Sequence, residues 1–190
     1  MRRLFCVFAV LAILGGGLEG YAANELSEYK NKENGFSIQF PSSWKIKEGA
    51  GGAAVQALGP KQGKAADAFL PYISVSVEAV PQTMTLDEYA SRGIEKARSV
   101  MPDFKVHRLG RQTISHTRAK WWIITSRAGT ENVKGLLFMV VKGNRAYRII
   151  CASALAQYSS YKDLFVKSVG TLVIESGDVQ SPVAPAEGAH

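Results

Sequence analysis

Most of the chain's excess positive charge lies in one short stretch. Residues 104–150 contain 10 Lys and Arg and one acidic residue, Glu131, whereas residues 24–103 contain 9 Lys and Arg against 10 Asp and Glu. Clustered cations attract anionic lipid headgroups, lipopolysaccharide or an acidic protein surface. The alternative is a dispersed, solvated set that includes edge-strand cations which prevent aggregation. Six of the cations are our candidate binding residues: Arg108, Arg111, Arg118, Lys120, Arg127 and Arg145.

Motifs for catalysis are missing from the sequence. It contains no G-x-S-x-G, H-E-x-x-H, C-x-x-C or P-loop pattern. His107 and His116 have no recognisable ligand spacing, and the third histidine is the terminal His190. Asp87 and Glu88 are better explained by the favourable field at a helix N-terminus than by acid–base catalysis. We therefore expect no catalytic residue, no metal ligand and no cofactor.

The cysteine and the aromatic residues indicate packing more than chemistry. Cys151 lies in an apolar run, where a small buried hydrophobic side chain is the usual role. Trp121 and Trp122 are adjacent on a predicted strand, so their rings should face opposite sides of the sheet and cannot form one stacking platform. Tyr158 and Tyr161, at the start of a predicted helix, could pack in the core or stack on a ligand.

Extended segments must position the basic residues. From Phe104 to Ala154 four extended runs are divided by turn signals at residues 115–117, 128–130 and 142–144. Such short connectors predict a four-strand antiparallel meander. Its third strand, residues 136–141, is apolar on both faces, which is typical of a strand covered on both sides. The cations should then occupy strand ends, turns and an edge.

Two helices are expected to cover this sheet. The capping box that begins at Thr85 predicts a helix from Leu86 to about Met101, and Pro102 should end it. A second helix should run from about Tyr158 to Val169, with Ser159 or Ser160 as its cap. Shorter strands are predicted at residues 36–40, 44–47, 53–58, 72–80 and 171–174, and a mobile loop at residues 59–68. The last of these strands is expected to return to the same sheet. The predicted fold class is α+β, a three-layer α/β/α sandwich with a mainly antiparallel sheet.

The first 23 residues resemble a signal peptide. Arg2 and Arg3 precede an unbroken apolar run, and small residues follow, which predicts cleavage after Ala22 or Ala23. The run is too short to span a bilayer, and the alternative is a retained N-terminal anchor. Residues 24–174 have the size of a single domain, and residues 175–190 have the composition of a disordered tail. We expect no transmembrane span after cleavage.

The segment Asn34–Lys45, NGFSIQFPSSWK, resembles the PsbP-like proteins. These include bacterial DcrB-type envelope proteins and share a fold with a small Ran-binding nuclear transport factor. The resemblance extends from about Tyr29 to Ile174, and its best motif, Gly-Phe with alternating residues and then Pro-x-x-Trp, is structural. It implies an α/β/α sandwich with an antiparallel sheet and a non-enzymatic role in docking on, or assembling, membrane complexes. No binding residue of the family matches here, so the resemblance implies a fold and an accessory role but no site.

Two function classes follow from these observations. The first is a non-catalytic exported accessory protein, periplasmic or peripheral on an envelope membrane, that docks on a membrane complex, a protein partner or an anionic lipid surface. The second is a small-ligand or metal-ion-binding module of the periplasm that uses the loop at residues 59–68. Nucleic acid is not an expected partner of an exported chain.

The leader gives a first test. A positively charged N-terminus, an apolar run and small residues at the cleavage site direct export and cleavage of a signal peptide. Protein from the envelope fraction should therefore begin at Ala23 or Asn24. Intact-mass spectrometry measures this directly. A mature form that begins at Met1 would contradict the prediction.

Overall fold

The computed structural model describes residues 25–61 and 69–175, and these ranges contain ten strands and two α-helices. Strands β1 to β5 span Leu26–Asn31, Phe36–Pro41, Lys45–Glu48, Val55–Leu58 and Tyr72–Ala79. Helix α1 spans Leu86–Val100. Strands β6 to β9 span Lys105–Ile114, Thr117–Ala128, Glu131–Lys142 and Arg145–Ala154. Helix α2 spans Tyr158–Gly170, and β10 spans Val173–Ile174.

The main sheet has seven antiparallel strands in the order β3-β4-β5-β9-β8-β7-β6. The last four form the predicted meander, which is confirmed. Strand β8 lies in the interior of the sheet, and its apolar residues alternate between two separate cores. Leu136, Phe138 and Val140 face one core, and Leu137 and Met139 face the other.

Helix α1 covers one face of the main sheet. Tyr89 and Ala90 are its buried residues, and they pack with Trp122, Leu137 and Met139. The predicted capping box is present: the Glu88 amide donates to the Thr85 hydroxyl (3.2 Å), and the Glu88 carboxylate accepts from the Thr85 amide (2.9 Å). The start of α1 is therefore fixed by its own local sequence.

The opposite face is covered by helix α2 together with a second, three-strand sheet of order β1-β2-β10. From β2, Phe36, Ile38 and Phe40 are fully buried in this core, and from α2 Phe165 and Val169 join them. The mainly antiparallel α+β fold is thus confirmed. The expected three-layer α/β/α sandwich is not confirmed in that simple form, because a second sheet shares the layer that α2 was expected to fill.

Two local expectations were wrong. Helix α2 begins at Tyr158 as predicted, but its N-cap is Gln157 and no side chain caps it, because a 3₁₀ turn at Leu155–Gln157 leads directly into the helix. Strand β10 pairs with β2 in the small sheet and not with the main sheet. The predicted signal peptide, most of the predicted loop at residues 59–68 and the predicted tail after Glu175 lie outside the described residues.

Gly135 allows β8 and β9 to approach closely. A Cβ atom at this position would lie 2.5 Å from the backbone oxygen of Cys151, whereas one at Gly170, the last residue of α2, would meet nothing within 4 Å. Backbone atoms inside a paired sheet cannot move aside as a flexible side chain can. The two glycines therefore form a matched pair for testing how tightly the meander is packed.

We predict that Gly135→Ala lowers the free energy of unfolding by about 1–3 kcal/mol, the usual cost of overpacking. Gly170→Ala should leave it unchanged or raise it by up to about 1 kcal/mol, because alanine favours helix more than glycine does. Urea denaturation of the two variants measures both effects. Equal stability of Gly135→Ala and the wild-type protein would show that the β8–β9 contact is not tight.

Candidate functional site

The structure divides the six candidate residues among three places. Arg111, Arg118 and Lys120 lie on the α1 side of the sheet, near the start of that helix. Their shared face follows from pairing, because Arg111 is opposite Lys120 in the β6–β7 ladder and Arg118 is two residues from Lys120. These three are the only members of the predicted set that the fold brings together.

The other three candidates lie elsewhere. Arg108 pairs with Ile123, whose side chain packs against the core on the α2 side of the sheet. Arg108 therefore projects from the α2 side, opposite to the face that carries Arg111, Arg118 and Lys120. Arg127 forms an ion pair with Asp103 (Nε to Oδ2, 3.3 Å) beyond the C-terminal end of α1. Arg145 donates from Nη2 to the backbone oxygen of Glu33 (3.1 Å). The fold therefore places three of the six candidates together and the other three at separate positions.

An open cleft of about 840 Å³ lies where the start of α1 meets strands β6 and β7. We call it the basic cleft. Its polar lining combines two arginines, one carboxylate, a histidine, an amide and three hydroxyl groups: Arg111, Arg118, Asp87, His116, Gln112, Thr85, Thr113 and Thr117. Lys120 reaches Asp87 from the neighbouring groove. With Lys120 included, three cations face one carboxylate, and the site keeps a net positive charge.

A tight turn positions the β6 side of the cleft. Ser115 and His116 both have positive φ (50° and 59°), which is typical of a two-residue hairpin turn. The Ser115 hydroxyl accepts a hydrogen bond from the backbone amide of Ile174 (2.8 Å), so the turn is fixed to the small sheet. His116 and Arg118 are thereby held at the mouth of the cleft.

Asp87 organises the charges of the cleft. Its Oδ1 atom contacts Nη2 of Arg111 (3.3 Å) and Nζ of Lys120. The hydrogen bond from Lys120 and, to a smaller extent, the positive charge of Arg111 hold the pKa of the Asp87 carboxyl below its usual value. Lys120 is largely covered, with 20% of its side chain exposed, whereas 71% of Arg111 is exposed. Arg111 and Arg118 are therefore the charges that an approaching anion meets first.

The other candidates for chemistry have structural roles. Cys151 is fully buried, and burial raises the pKa of its thiol, so it is not a reactive thiolate. Trp121 and Trp122 pack into opposite cores as predicted. Tyr158 and Tyr161 are both buried in the α2 core and offer no stacking platform.

The histidines do not converge on a metal site. His107 is exposed and its Nε2 lies 2.8 Å from the hydroxyl of Thr125, whereas His116 is in the turn at the basic cleft. Within residues 25–61 and 69–175, no group of three or more His, Cys, Asp or Glu side chains could hold a metal ion. In the same ranges, neither helix combines the length and apolarity needed to cross a bilayer.

Solved structures with the same architecture come from several organisms. Cyanobacterial PsbP (CyanoP) from Synechocystis sp. PCC 6803 has a TM-score of 0.59 and 14% identity, over 84% of this chain and 98% of that one. LpqN, involved in cell envelope biogenesis of Mycobacterium tuberculosis, has a TM-score of 0.62 and 10% identity, over 80% and 92%. The Ran-binding protein Mog1p of Saccharomyces cerevisiae has a TM-score of 0.54 and 11% identity, over 79% and 95%.

These likenesses define the chain as a protein with a PsbP-like fold. The resemblance noted at Asn34–Lys45 is confirmed at this level, because the matched structures have the same fold at low sequence identity. No protein-family model and no curated protein sequence matches the chain.

The role of Lys120 can be tested by titration. In Lys120→Met the carboxyl of Asp87 loses its strongest partner, so its pKa should rise towards the ordinary value, and in Arg111→Gln it should rise less. NMR detection of the Asp87 side-chain carbonyl carbon measures the shift. Arg108→Gln, on the opposite face, is the control and should leave this pKa unchanged. An Asp87 titration that is identical in Lys120→Met and wild type would contradict the assignment.

Proposed function

We propose that this protein is a non-catalytic, exported accessory protein that docks on an anionic envelope surface or an acidic face of a membrane complex through the basic cleft. The observation that carries the proposal is the convergence of Arg111, Arg118 and Lys120 around a single carboxylate beside an open cleft. Exposed cations on one surface raise the association rate with anionic partners and fix their orientation.

The matched structures support an accessory role. LpqN is described as involved in cell envelope biogenesis, and Mog1p is described as Ran-binding. An accessory protein needs a stable surface for docking and no reactive group, and the cleft fits that need. Its polar groups are threonines, an amide, arginines, a histidine and the Asp87 carboxylate. The Thr85 hydroxyl donates to the Glu88 carboxylate (2.8 Å), and this contact belongs to the capping box of α1.

Export of the chain rests on its sequence. The leader at residues 1–23 would deliver the domain beyond the inner membrane, where anionic lipid and lipopolysaccharide present dense negative charge. A net positive domain would then concentrate at that surface. This account joins the leader, the charge distribution and the cleft in one function.

Anionic vesicles provide the test. In Arg111→Gln/Arg118→Gln, binding to phosphatidylglycerol vesicles should weaken roughly tenfold or more, since each basic residue near an anionic surface contributes about 1 kcal/mol. The matched control is Lys105→Gln/Arg108→Gln, which removes the same charge from exposed positions on β6 outside the cleft. This control should bind nearly as well as wild type. Vesicle flotation at several salt concentrations measures both variants.

The two double variants also separate docking from stability. Exposed charges usually change the free energy of unfolding by less than about 0.5 kcal/mol each, so both variants should melt near the wild-type temperature. Wild-type binding should fall as salt rises, because screening acts over about 8 Å at physiological ionic strength. If both variants lose binding equally, net charge alone is responsible, and docking through the cleft is refuted.

A further inference from the structure

Helix α1 has a second polar groove on the flank that faces away from the basic cleft. This groove, the flank pocket, lies between α1 and strands β5 and β9 and encloses about 340 Å³. Its cations are Arg92 and Lys96 of α1 and Arg148 of β9. Glu78 and Tyr89 complete the polar lining, and its apolar wall consists of Ala79, Val80, Pro81 and Met84. A volume of this size is in the range of small-molecule sites.

Arg148 is the unusual group in this pocket. It lies beside Met139 in the β8–β9 ladder, on the face of the sheet under α1. Its Nε atom is buried, and no acceptor among the described residues bonds to it. Buried polar atoms normally have a partner, so the guanidinium group of Arg148, which lines the pocket, lacks one of its usual hydrogen bonds.

The acidic residue of the pocket does not satisfy these cations. Glu78 accepts a hydrogen bond from the Tyr89 hydroxyl, and burial together with this bond raises the pKa of Tyr89, so the hydroxyl stays protonated. The ion pairs formed among the described residues involve none of Arg92, Lys96 and Arg148. Within the pocket lining, three cations against one carboxylate leave an excess of two positive charges. Arg92 also interacts with Glu88, one turn earlier on α1.

Close packing of the helix gives the pocket a fixed inner wall. A Cβ atom at Gly93 would lie 2.5 Å from the terminal methyl of Met139, so α1 sits directly against β8 at this point. Arg92 and Lys96, one turn apart, flank that contact and line the same groove as Arg148. Each planar guanidinium group can donate to two oxygens of one phosphate, and the lysine adds a third charge.

We propose that the flank pocket binds a phosphate monoester, with the dianionic phosphate held by Arg148, Arg92 and Lys96 and a small apolar substituent lying against Val80 and Met84. The excess of two positive charges matches a dianion better than a monocarboxylate. This binding does not depend on the basic cleft, which lies on the other flank of α1.

Phenyl phosphate is a suitable probe, because it joins a dianionic phosphate to one small apolar ring. Calorimetric titration of the wild-type protein should show saturable binding with one site per chain. Inorganic phosphate should bind more weakly, and phenol, which lacks the anion, should not bind measurably. Absence of saturable phenyl phosphate binding would overturn the proposal.

Variants locate the site. Arg148→Met should weaken phenyl phosphate binding at least about tenfold, the usual effect of losing a hydrogen bond to a charged group. Because Arg148 is partly buried, Arg92→Gln/Lys96→Gln serves as a second variant at exposed positions and should also weaken binding about tenfold. Arg98→Gln, on the other flank of α1, is the matched control and should bind within about twofold of wild type.

The pattern among these variants decides the outcome. Unchanged affinity in folded Arg148→Met, or in the Arg92/Lys96 double variant, would refute the site, and so would an equal loss in Arg98→Gln. Arg111→Gln/Arg118→Gln should retain full phenyl phosphate affinity, which separates this pocket from the basic cleft. If that double variant fails to bind vesicles but still binds phenyl phosphate, both sites are supported independently.

A phosphate monoester could be a free metabolite or the headgroup of phosphatidic acid. Vesicles that contain phosphatidic acid distinguish the two. If Arg148→Met weakens vesicle binding in parallel with phenyl phosphate binding, the headgroup enters the pocket. If Arg148→Met binds these vesicles as wild type does and loses only phenyl phosphate, the pocket takes a free phosphate monoester.

Discussion

The apolar side chains of β8 must be shielded from water on both faces of the sheet, and the arrangement of the rest of the protein depends on this requirement. Each large apolar side chain that leaves water stabilises the fold by about 1.5–3 kcal/mol, so neither row of β8 side chains can be left exposed. Leu137 and Met139 are covered by α1, whereas Leu136, Phe138 and Val140 are covered by α2 and the small sheet. Two separate cores on the two sides of one strand are the result.

This double coverage also determines where charge can be placed. Cations of the meander lie at strand ends and turns, on the edge strand and along the two flanks of α1. In the basic cleft and the flank pocket, β-strand cations meet groups from that helix: Arg111 and Lys120 meet Asp87, and Arg148 lies with Arg92 and Lys96. One helix that packs close to the sheet thus creates two cationic sites of different depth.

Local signals predicted the meander, the interior strand and helix α1, because each depends on residues close together in sequence. The grouping of the cations required the register of β6 against β7, which depends on the length of one turn. The sequence predicts a turn at residues 115–117, whereas in the structure Ile114 pairs with Thr117 across a two-residue turn. A change of one residue moves every side chain of a strand to the other face. The flank pocket depends on the position of α1 over the sheet, which is set by the contact of Gly93 with Met139. No local sequence pattern predicts this contact.

The two-residue strand β10 gives the chain an order of assembly. Strand β2 lies between β1 and β10, and Ile174 also contacts the turn at Ser115 and the Lys142 ammonium group, which donates to its backbone oxygen (2.8 Å). Loops between these partners span much of the sequence, and their closure costs entropy that only late contacts repay. The meander can pair without these contacts, but the small sheet is complete only when residue 174 is in place. A chain truncated before this point would leave the aromatic side chains of β2 without their final cover.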